Sequence, residues 1–326
     1  LDLFGADMKD MITYITAGES HGPAMTAMIK GLPAGFHLDV EQLNFQLWRR
    51  QQGYGRGGRM KIEKDTVAVL SGLRDSMTLA SPLTLMVQNR DFSNWQDRMD
   101  PVEADVSKKV SVPRPGHADH AGIRKYGFDD IRNVLERASA RETAARILPG
   151  AVCRQFLDEL GIRLYSHVTL LGKVKLPQMD INEDILKKAD ASDVRCIDDK
   201  TADAMKEEID TVKAAGDSVG GIFQIVVVGL PVGLGSYVHW DSKLSTALAA
   251  EIMGIQAIKG ISFGEGFSAA ARYGSEYHDA FKIEDDEVIR TSNHAGGLEG
   301  GMSNGEPLVI NAVMKPIPTL TKALNS

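Results

Sequence analysis

An internal repeat is the feature that most constrains how this chain can fold. The segment GESHG at positions 18–22 reappears as GDSVG at positions 216–220. In each copy an apolar run follows and leads to a Gly-Leu-Pro-x-Gly turn, which begins at Gly31 in the first copy and at Gly229 in the second. A duplicated unit of loop, strand, turn and helix predicts two related layers about a pseudo-twofold axis rather than two unrelated domains.

The residues beyond the two turns predict helices. Asp39 and Asp241 each precede apolar residues at helical spacing, and an aspartate can accept the unpaired backbone N–H groups at a helix start. We therefore expect an N-cap at both positions. A third helix is predicted between Asp129 and Leu148, ending at Pro149. Strands are predicted by three β-rich runs, which are residues 161–171, 221–230 and 308–315.

Composition argues against several classes of protein. The net charge of -7 does not favour general nucleic-acid binding, and no run approaches the roughly 18 apolar residues of a membrane span. Cys153 and Cys196 are too few for a disulfide framework and lack metal-ligand spacing, so we expect no metal and a cytoplasmic location. Residues 1–10 lack the features of a signal peptide, and we expect them to be an added leader before Met11.

A basic segment stands out on this acidic chain. Residues 49–64 contain six arginines and lysines and one glutamate, which indicates a specific anionic ligand or else a solvated loop. Its GYGRGG sequence fits the dinucleotide-binding pattern G-x-G-x-x-G. That pattern requires a strand before it and a helix after it, whereas here a predicted helix precedes it and a strand-like run follows, so we do not predict a dinucleotide-binding fold. RNA binding is a weaker alternative, because Tyr54 is the one aromatic residue there for base stacking.

The histidine of the first loop has no counterpart in the second copy. Position 21 is histidine, whereas the matching position 219 is valine. The turn explains the glycines and the acidic residue, and His21 is additional to what the turn requires. We predict a proton-transfer role for His21, with a purely structural histidine as the alternative.

Two further segments carry chemical groups. Arg137 and Arg141 are four positions apart and are predicted to share one helical face beside Ser139, although such charged faces are often only solvated. Five glycines between positions 296 and 305 would let the backbone approach an anionic ligand closely, or would form a flexible surface loop.

Taken together, these motifs resemble those of chorismate synthases. The resemblance runs from Met11 to the end, through GESHGPA, RRQQGYGRGGRM, RPGHAD, RNVLERASARET, GSEYHD, GGLEGGMSNG and KPIPT. It implies an α+β fold, a β-α-β sandwich with an internal pseudo-twofold duplication, formed by residues 11–326 as a single domain. It also implies a homotetramer.

The family's activity follows from the resemblance. It implies a carbon–oxygen lyase of the shikimate pathway, which removes phosphate from 5-enolpyruvylshikimate 3-phosphate by anti 1,4-elimination and forms chorismate. Reduced FMN is implied as cofactor without net redox change, with NADPH or an external flavin reductase keeping it reduced. The alternatives are an FMN-dependent oxidoreductase and a truncated inactive homologue, because family members continue into an RSD-bearing segment that we expect to be absent here.

The resemblance also assigns roles to individual residues. His21 would protonate the departing phosphate, His117 would protonate the reduced flavin, and Ser20 and Ser139 would assist proton handling. The residues implied to bind substrate or NADP are Arg50, Arg56 and Arg114. Those implied to bind FMN are Arg137, Ala138, Ser139, Gln256, Ala257, Gly300, Lys315, Pro316, Ile317, Pro318 and Thr319.

Overall fold

The computed structural model describes residues 11–57, 62–322 and 324. The chain divides into two compact units. The first contains the residues up to Gln52 and Arg56–Phe156, and the second contains Gly53–Gly55 and the chain from Leu157 onward. The expected single domain and pseudo-twofold axis stay predictions, and each unit is described by itself.

The first unit combines two antiparallel sheets with helices. Its strands are β1 (Thr13–Ala17), β2 (Ala24–Lys30), β3 (Ala34–His37), β4 (Val67–Ser71), β5 (Leu73–Arg74), β6 (Met77–Leu79) and β7 (Leu83–Gln88). Its helices are α1 (Val40–Gln51), α2 (Gln96–Met99), α3 (Asp119–Tyr126), α4 (Arg132–Leu135) and α5 (Thr143–Glu159). The strand orders are β1–β2–β7–β4 and β3–β6–β5.

The core of this unit lies between the larger sheet and two helices. Across β2 and β7, Ile29 is paired with Leu83, and both side chains are fully buried. Leu43 and Leu47 of α1 belong to the same apolar cluster, as do Leu148, Ala151 and Val152 of α5. Each buried leucine contributes about 1.5–3 kcal/mol relative to an exposed one. This packing fixes the ends of β1, β2 and β7, where the GESHGP loop lies.

The second unit is built on one five-stranded antiparallel sheet. Its strands are β8 (Arg163–Leu171), β9 (Val174–Lys175), β10 (Gly221–Val228), β11 (Ile258–Phe263), β12 (Phe281–Glu284), β13 (Glu287–Arg290), β14 (Leu298–Glu299), β15 (Met302–Ser303) and β16 (Leu308–Met314). The sheet order is β11–β16–β10–β8–β9, with β12–β13 and β14–β15 as separate hairpins. Its helices are α6 (Glu183–Lys187), α7 (Asp199–Ala214), α8 (Leu244–Met253) and α9 (Gly274–Tyr277).

One face of this sheet forms the second core. Ile225 of β10 is paired with Ile310 of β16, and Ile252 of α8 belongs to the same cluster. A separate cluster includes Met205 of α7 and the buried Cys196. The strands predicted from the three β-rich runs are confirmed, and they correspond to β8, β10 and β16.

The two predicted N-caps have different outcomes. Asp39 caps α1, because its side chain accepts the backbone N–H groups of Glu41 and Gln42. The prediction for Asp241 is wrong, because α8 begins at Leu244 and Lys243 is its N-cap residue. Asp241 lies in a short 3₁₀ turn, where its carboxylate is 2.6 Å from Nδ1 of His239.

The predicted helix between Asp129 and Leu148 is also wrong. The chain forms α4, then an extended residue at Ser139, a 3₁₀ turn at Ala140–Glu142, and then α5. Ser139 interrupts the helix because its hydroxyl accepts the backbone N–H of Arg141 instead. Nor does Pro149 end α5, which continues to Glu159. Pro149 is buried among apolar residues of that helix, and their packing outweighs the missing backbone hydrogen bond.

Candidate active site

The GESHGP loop connects β1 to β2 in a tightly constrained backbone conformation. Gly18 has φ of 113°, and a Cβ at this position would lie 2.3 Å from the carbonyl oxygen of Ala24. Asn89 closes the loop by donating from its side-chain amide to the carbonyls of Glu19 and Gly22, at 3.1 and 2.8 Å. The loop is therefore a rigid platform for the side chains that it carries.

A buried arginine holds that platform in place. Arg141 is 6% exposed, and its guanidinium makes two hydrogen bonds of 2.7 and 2.9 Å to the carboxylate of Asp65. Its Nε donates to Asn89 at 2.9 Å. The expectation that Arg141 and Arg137 share one helical face is wrong, because the chain turns between them at Ser139. Arg141 is a structural residue beneath the loop.

His21 is held by an acidic residue and an aromatic ring. Its Nδ1 lies 3.0 and 2.9 Å from the two carboxylate oxygens of Glu136. Its ring stacks on Trp95 with centroids 4.2 Å apart, and its Nε2 is 4.0 Å from a carboxylate oxygen of Asp91. His21 is thus positioned between two carboxylates, an environment in which imidazole can hold and release a proton.

Ser20 and Ser139 meet directly beside this histidine. The Ser139 hydroxyl donates to the Ser20 hydroxyl oxygen at 3.1 Å. Ser20 is 2% exposed, and its backbone N–H donates to the carbonyl of Glu136 at 3.0 Å. The structure therefore brings together three of the four residues predicted to be catalytic, namely Ser20, His21 and Ser139.

Arg50, predicted to bind substrate, and Arg137, predicted to bind FMN, both lie near the turn at Ser139. Arg137 donates to the carbonyls of Thr16 and Gly18, at 2.9 and 3.1 Å. Arg50 donates to the Ala140 carbonyl at 3.3 Å and to the hydroxyl of Thr143 at 3.0 Å. Ala138, also predicted to bind FMN, lies in this turn between Arg137 and Ser139. Two cationic groups thus lie near Ser139, each beside a carboxylate: Arg50 is 3.5 Å from Asp65 and Arg137 is 3.9 Å from Glu142.

Arg56 lies close to residues that the structure does not describe. It lies in the exposed loop after α1, and the following residues 58–61 are outside the described residues. Its predicted contact with an anionic ligand stays a prediction.

His117 forms a second cluster with Arg114 and Asp119. Asp119 is fully buried; its carboxylate accepts two hydrogen bonds from the Arg114 guanidinium and contacts Nδ1 of His117 at 2.5 Å. Burial by itself would raise the pKa of Asp119, but hydrogen bonds from Arg114 and the contact with His117 outweigh it and lower the pKa to about 2. The carboxylate therefore stays ionised at neutral pH. It holds together His117 and Arg114, two residues for which separate roles were predicted.

The FMN residues predicted in the second unit form two groups. In the first, the backbone N–H of Lys315 donates to the Ala257 carbonyl at 3.0 Å, and the Ile317 carbonyl accepts the hydroxyl of Ser218 at 2.7 Å. Ala257 has φ of 70°, a left-handed conformation that costs a residue with a side chain about 1–2 kcal/mol. Such strain is often found at ligand sites, which fits the role predicted for Gln256 and Ala257.

Gly300 forms the other group, at the far end of α8. The carbonyl of its neighbour Gly301 accepts the backbone N–H of Leu244, the first residue of that helix. Gln256 follows the last residue of α8, so about 15 Å of helix separates it from Gly300. Pro316, Pro318 and Thr319 lie in the segment after β16.

Sequence reasoning missed several residues of this site. Glu136, Trp95 and Asp91 surround His21, yet each is far from it in sequence. The local spacing of Glu136 to Arg132 suggests only an exposed i,i+4 ion pair, whereas the carboxylate is 1% exposed. The one available signal was the RNVLERASARET motif, in which this glutamate stands immediately before the predicted Arg137.

Comparison with known proteins decides the family. A sequence model of the chorismate synthase family matches residues 12–326. This chain belongs to the chorismate synthase family. The chorismate synthase of Alkaliphilus metalliredigens is 52% identical over 318 residues, which cover 97% of this chain and 84% of the relative. A chorismate synthase of Staphylococcus aureus is 50% identical over 320 residues, covering 96% of this chain and 82% of the relative.

A solved structure supports the same assignment. A crystal structure of a chorismate synthase matches this chain with a TM-score of 0.80 and 39% sequence identity, covering 94% of this chain and 85% of that one. The predicted α+β fold and the predicted carbon–oxygen lyase class are confirmed by membership of the chorismate synthase family.

Two further observations bear on partners and metals. In the described part of the chain, no helix combines the length and the apolar character required to cross a membrane. Across residues 11–57 and 62–322, no group of three or more His, Cys, Asp and Glu side chains has the placement of a metal site.

Proposed function

We propose that this chain converts 5-enolpyruvylshikimate 3-phosphate into chorismate by anti 1,4-elimination of phosphate, with reduced FMN as cofactor and no net redox change. One observation carries the proposal. The hydrogen bond between Ser20 and Ser139 joins the GESHGP loop, which carries His21, to the turn near which Arg50 and Arg137 lie. A proton donor and cationic groups thus lie together, as the departure of a phosphate requires.

The substrate's charges suit the cationic groups of the first unit. It bears two carboxylates and a phosphate, and arginine binds such groups in a bidentate manner. Arg50 donates to the Ala140 carbonyl of the turn, and Arg137 stands two residues before Ser139. We assign Arg50, Arg56 and Arg114 to the anionic groups of the substrate and Arg137 to FMN. His21 would release a proton from Nε2 to the phosphate as the C–O bond breaks.

The described residues fit an FMN molecule by their chemistry. Lys315 supplies a positive charge, Gly300 an uncrowded backbone, and Ala257 a strained backbone position beside Lys315. When bound, reduced FMN would supply a transient electron that weakens the bond to phosphate. His117 would hold a proton, oriented by the ionised Asp119.

The finer features of the family are proposed on the same basis. We propose a homotetramer in the cytoplasm, with the flavin kept reduced by NADPH or by an external reductase. The relatives are named as chorismate synthases, and their names specify neither the assembly nor the source of electrons.

An anaerobic assay tests the proposal. Purified protein, substrate and a catalytic amount of reduced FMN should form chorismate and one phosphate per substrate, while the amount of reduced flavin stays constant. Consumption of one reduced flavin per turnover would instead indicate an oxidoreductase. No phosphate release under these conditions would show that the proposed elimination is wrong for this chain.

A further inference from the structure

Glu136 makes three contacts with the GESHGP loop. It is 2% exposed, and its carboxylate accepts the backbone N–H of His21 at 2.9 Å while also contacting ring Nδ1. Its own carbonyl accepts the backbone N–H of Ser20. One residue therefore fixes both the main chain of the loop and the edge of the imidazole ring.

The Glu136 carboxylate and the face of the His21 ring have further partners. A guanidinium nitrogen of Arg132 lies 3.6 Å from the Glu136 carboxylate. The same guanidinium sits 5.5 Å from the ring centroid of Trp95, on which His21 stacks. Arg132, Trp95, His21 and Glu136 thus form a closed set of contacts, and rotation of the imidazole would break two of them.

The carboxylate has a chemical consequence for His21. A group that only accepts hydrogen bonds places the ring proton on Nδ1, which leaves Nε2 as the nitrogen that exchanges a proton. When the ring is protonated, the buried negative charge beside it compensates the positive charge. We propose that Glu136 is a positioning residue, which sets the tautomer and the orientation of His21 for proton transfer through Nε2. The direction of that transfer, to phosphate, rests on the proposed function.

A purely structural Glu136 would predict a different outcome. If the carboxylate only tethers the loop backbone, a glutamine can still accept the N–H of His21 and should preserve the site. If the carboxylate sets the tautomer, glutamine weakens that preference, because it presents Nδ1 with one acceptor oxygen and one N–H₂ donor in place of two acceptor oxygens. Glu136→Gln therefore separates the two roles.

The experiment measures turnover against pH and the ¹⁵N NMR signals of the His21 ring. For Glu136→Gln we expect kcat to fall about 10- to 100-fold, within the range of a disabled general acid, with KM changed less than about threefold. The protonated ring would lose one of the two carboxylates that face it, since Asp91 remains 4.0 Å from Nε2, so the alkaline limb of the pH profile should move to lower pH. The NMR signals should show a larger share of the Nε2–H tautomer than in the parent.

Glu142→Gln is the matched control. Glu142 is a buried carboxylate of the same unit that contacts Thr16 and Arg137. Its replacement should leave the tautomer of His21 and the position of the alkaline limb as in the parent. An equal shift in both variants would overturn the proposal, as would a Glu136→Gln protein that keeps the parental tautomer and pH profile.

The parent protein alone provides a second test, should Glu136→Gln fail to fold. Neutral His21 in the unmodified protein should carry its proton on Nδ1, and an Nε2–H tautomer would overturn the proposal. Because this readout requires no turnover, it also separates the two hypotheses. An inactive parent with an Nδ1–H tautomer would disprove the proposed elimination and support the positioning role.

Discussion

The two copies of the repeated loop have the same turn residues and different partners. In the first copy, Ser20 is buried and hydrogen-bonded to Ser139, and His21 contacts Glu136. In the second, the hydroxyl of Ser218 donates to the Ile317 carbonyl, and the Gly216 carbonyl accepts the N–H groups of residues 321 and 322. The first loop presents side chains, whereas the second fastens the segment after β16.

This difference shows which parts of the loop are structural. Both copies begin with a glycine of positive φ, 113° at Gly18 and 66° at Gly216, so a glycine at this position is a shared requirement of the two turns. The distinction lies in position 21 and in what surrounds it. Substitutions at matched positions can therefore separate the requirements of the turn from those of the chemistry.

The largest effect is expected at the first glycine. In Gly18→Ala the new Cβ would meet the backbone oxygen of Ala24 at 2.3 Å, at a φ that side chains rarely adopt. We expect a loss of about 3 kcal/mol or more in the free energy of unfolding. In Gly216→Ala the Cβ would meet the Thr321 hydroxyl, which can rotate, and φ lies in the tolerated left-handed region, so about 1–2 kcal/mol should be lost. Urea denaturation measures both, and a larger loss at Gly216 would contradict this comparison.

The next effect concerns the residue that differs between the loops. His21→Ala should lower kcat about a hundredfold, the scale of a lost general acid, without a comparable loss of stability. Val219→Ala at the matching position should keep kcat within about twofold. Anaerobic phosphate release is the measurement. Parental turnover in His21→Ala would mean that the histidine serves only the turn.

A smaller effect is expected at His167, a buried histidine whose surroundings differ from those of His21. His21 lies beside carboxylates, whereas both ring nitrogens of His167 in β8 lack a hydrogen-bond partner within the described residues. Burial, followed by the nearby positive charge of Arg195, lowers the pKa of His167 to about 4. The unfolded chain takes up this proton near pH 6.5 and the folded chain does so only near pH 4. The contribution of neutral His167 to the free energy of unfolding is therefore present above pH 6.5. It is lost as the pH falls from 6.5 to 4.

Replacing His167 by phenylalanine should remove that component. Between pH 6.5 and 4 the parent should lose about 2 kcal/mol more than His167→Phe, measured by urea denaturation at each pH. Parallel pH dependences in the two proteins would show that His167 makes no such contribution.

Local patterns were sufficient where local forces decide the structure. Asp39 caps α1, and β10 and β16 follow their β-rich runs, because capping and alternation involve neighbours in the sequence. The glycines of the first loop likewise indicated a turn. The pairing of Ser20 with Ser139 could be expected only through the family resemblance, since 119 positions separate them.

Three differences from the sequence-based expectations involve tertiary contacts. The helix expected through Ser139 is interrupted where the adjoining Arg141 becomes buried against Asp65. Pro149 is accommodated within α5 by burial of that face. Glu136 resembles a solvated residue in its local sequence because its partner His21 lies 115 positions away. Spacing within one element does not encode such contacts.

The antiparallel pairing of β11 with β16 has a consequence for ligand binding. Ile258 is paired with Met314, so the residues next to them, Ala257 and Lys315, are held together by the hydrogen-bond ladder of the sheet. A ligand that bound there would meet a preorganised surface and would lose little conformational entropy in ordering it. Gly300, which lies between the two short strands β14 and β15, has no comparable support from the sheet. The entropic cost of binding would therefore fall mainly on the Gly300 hairpin.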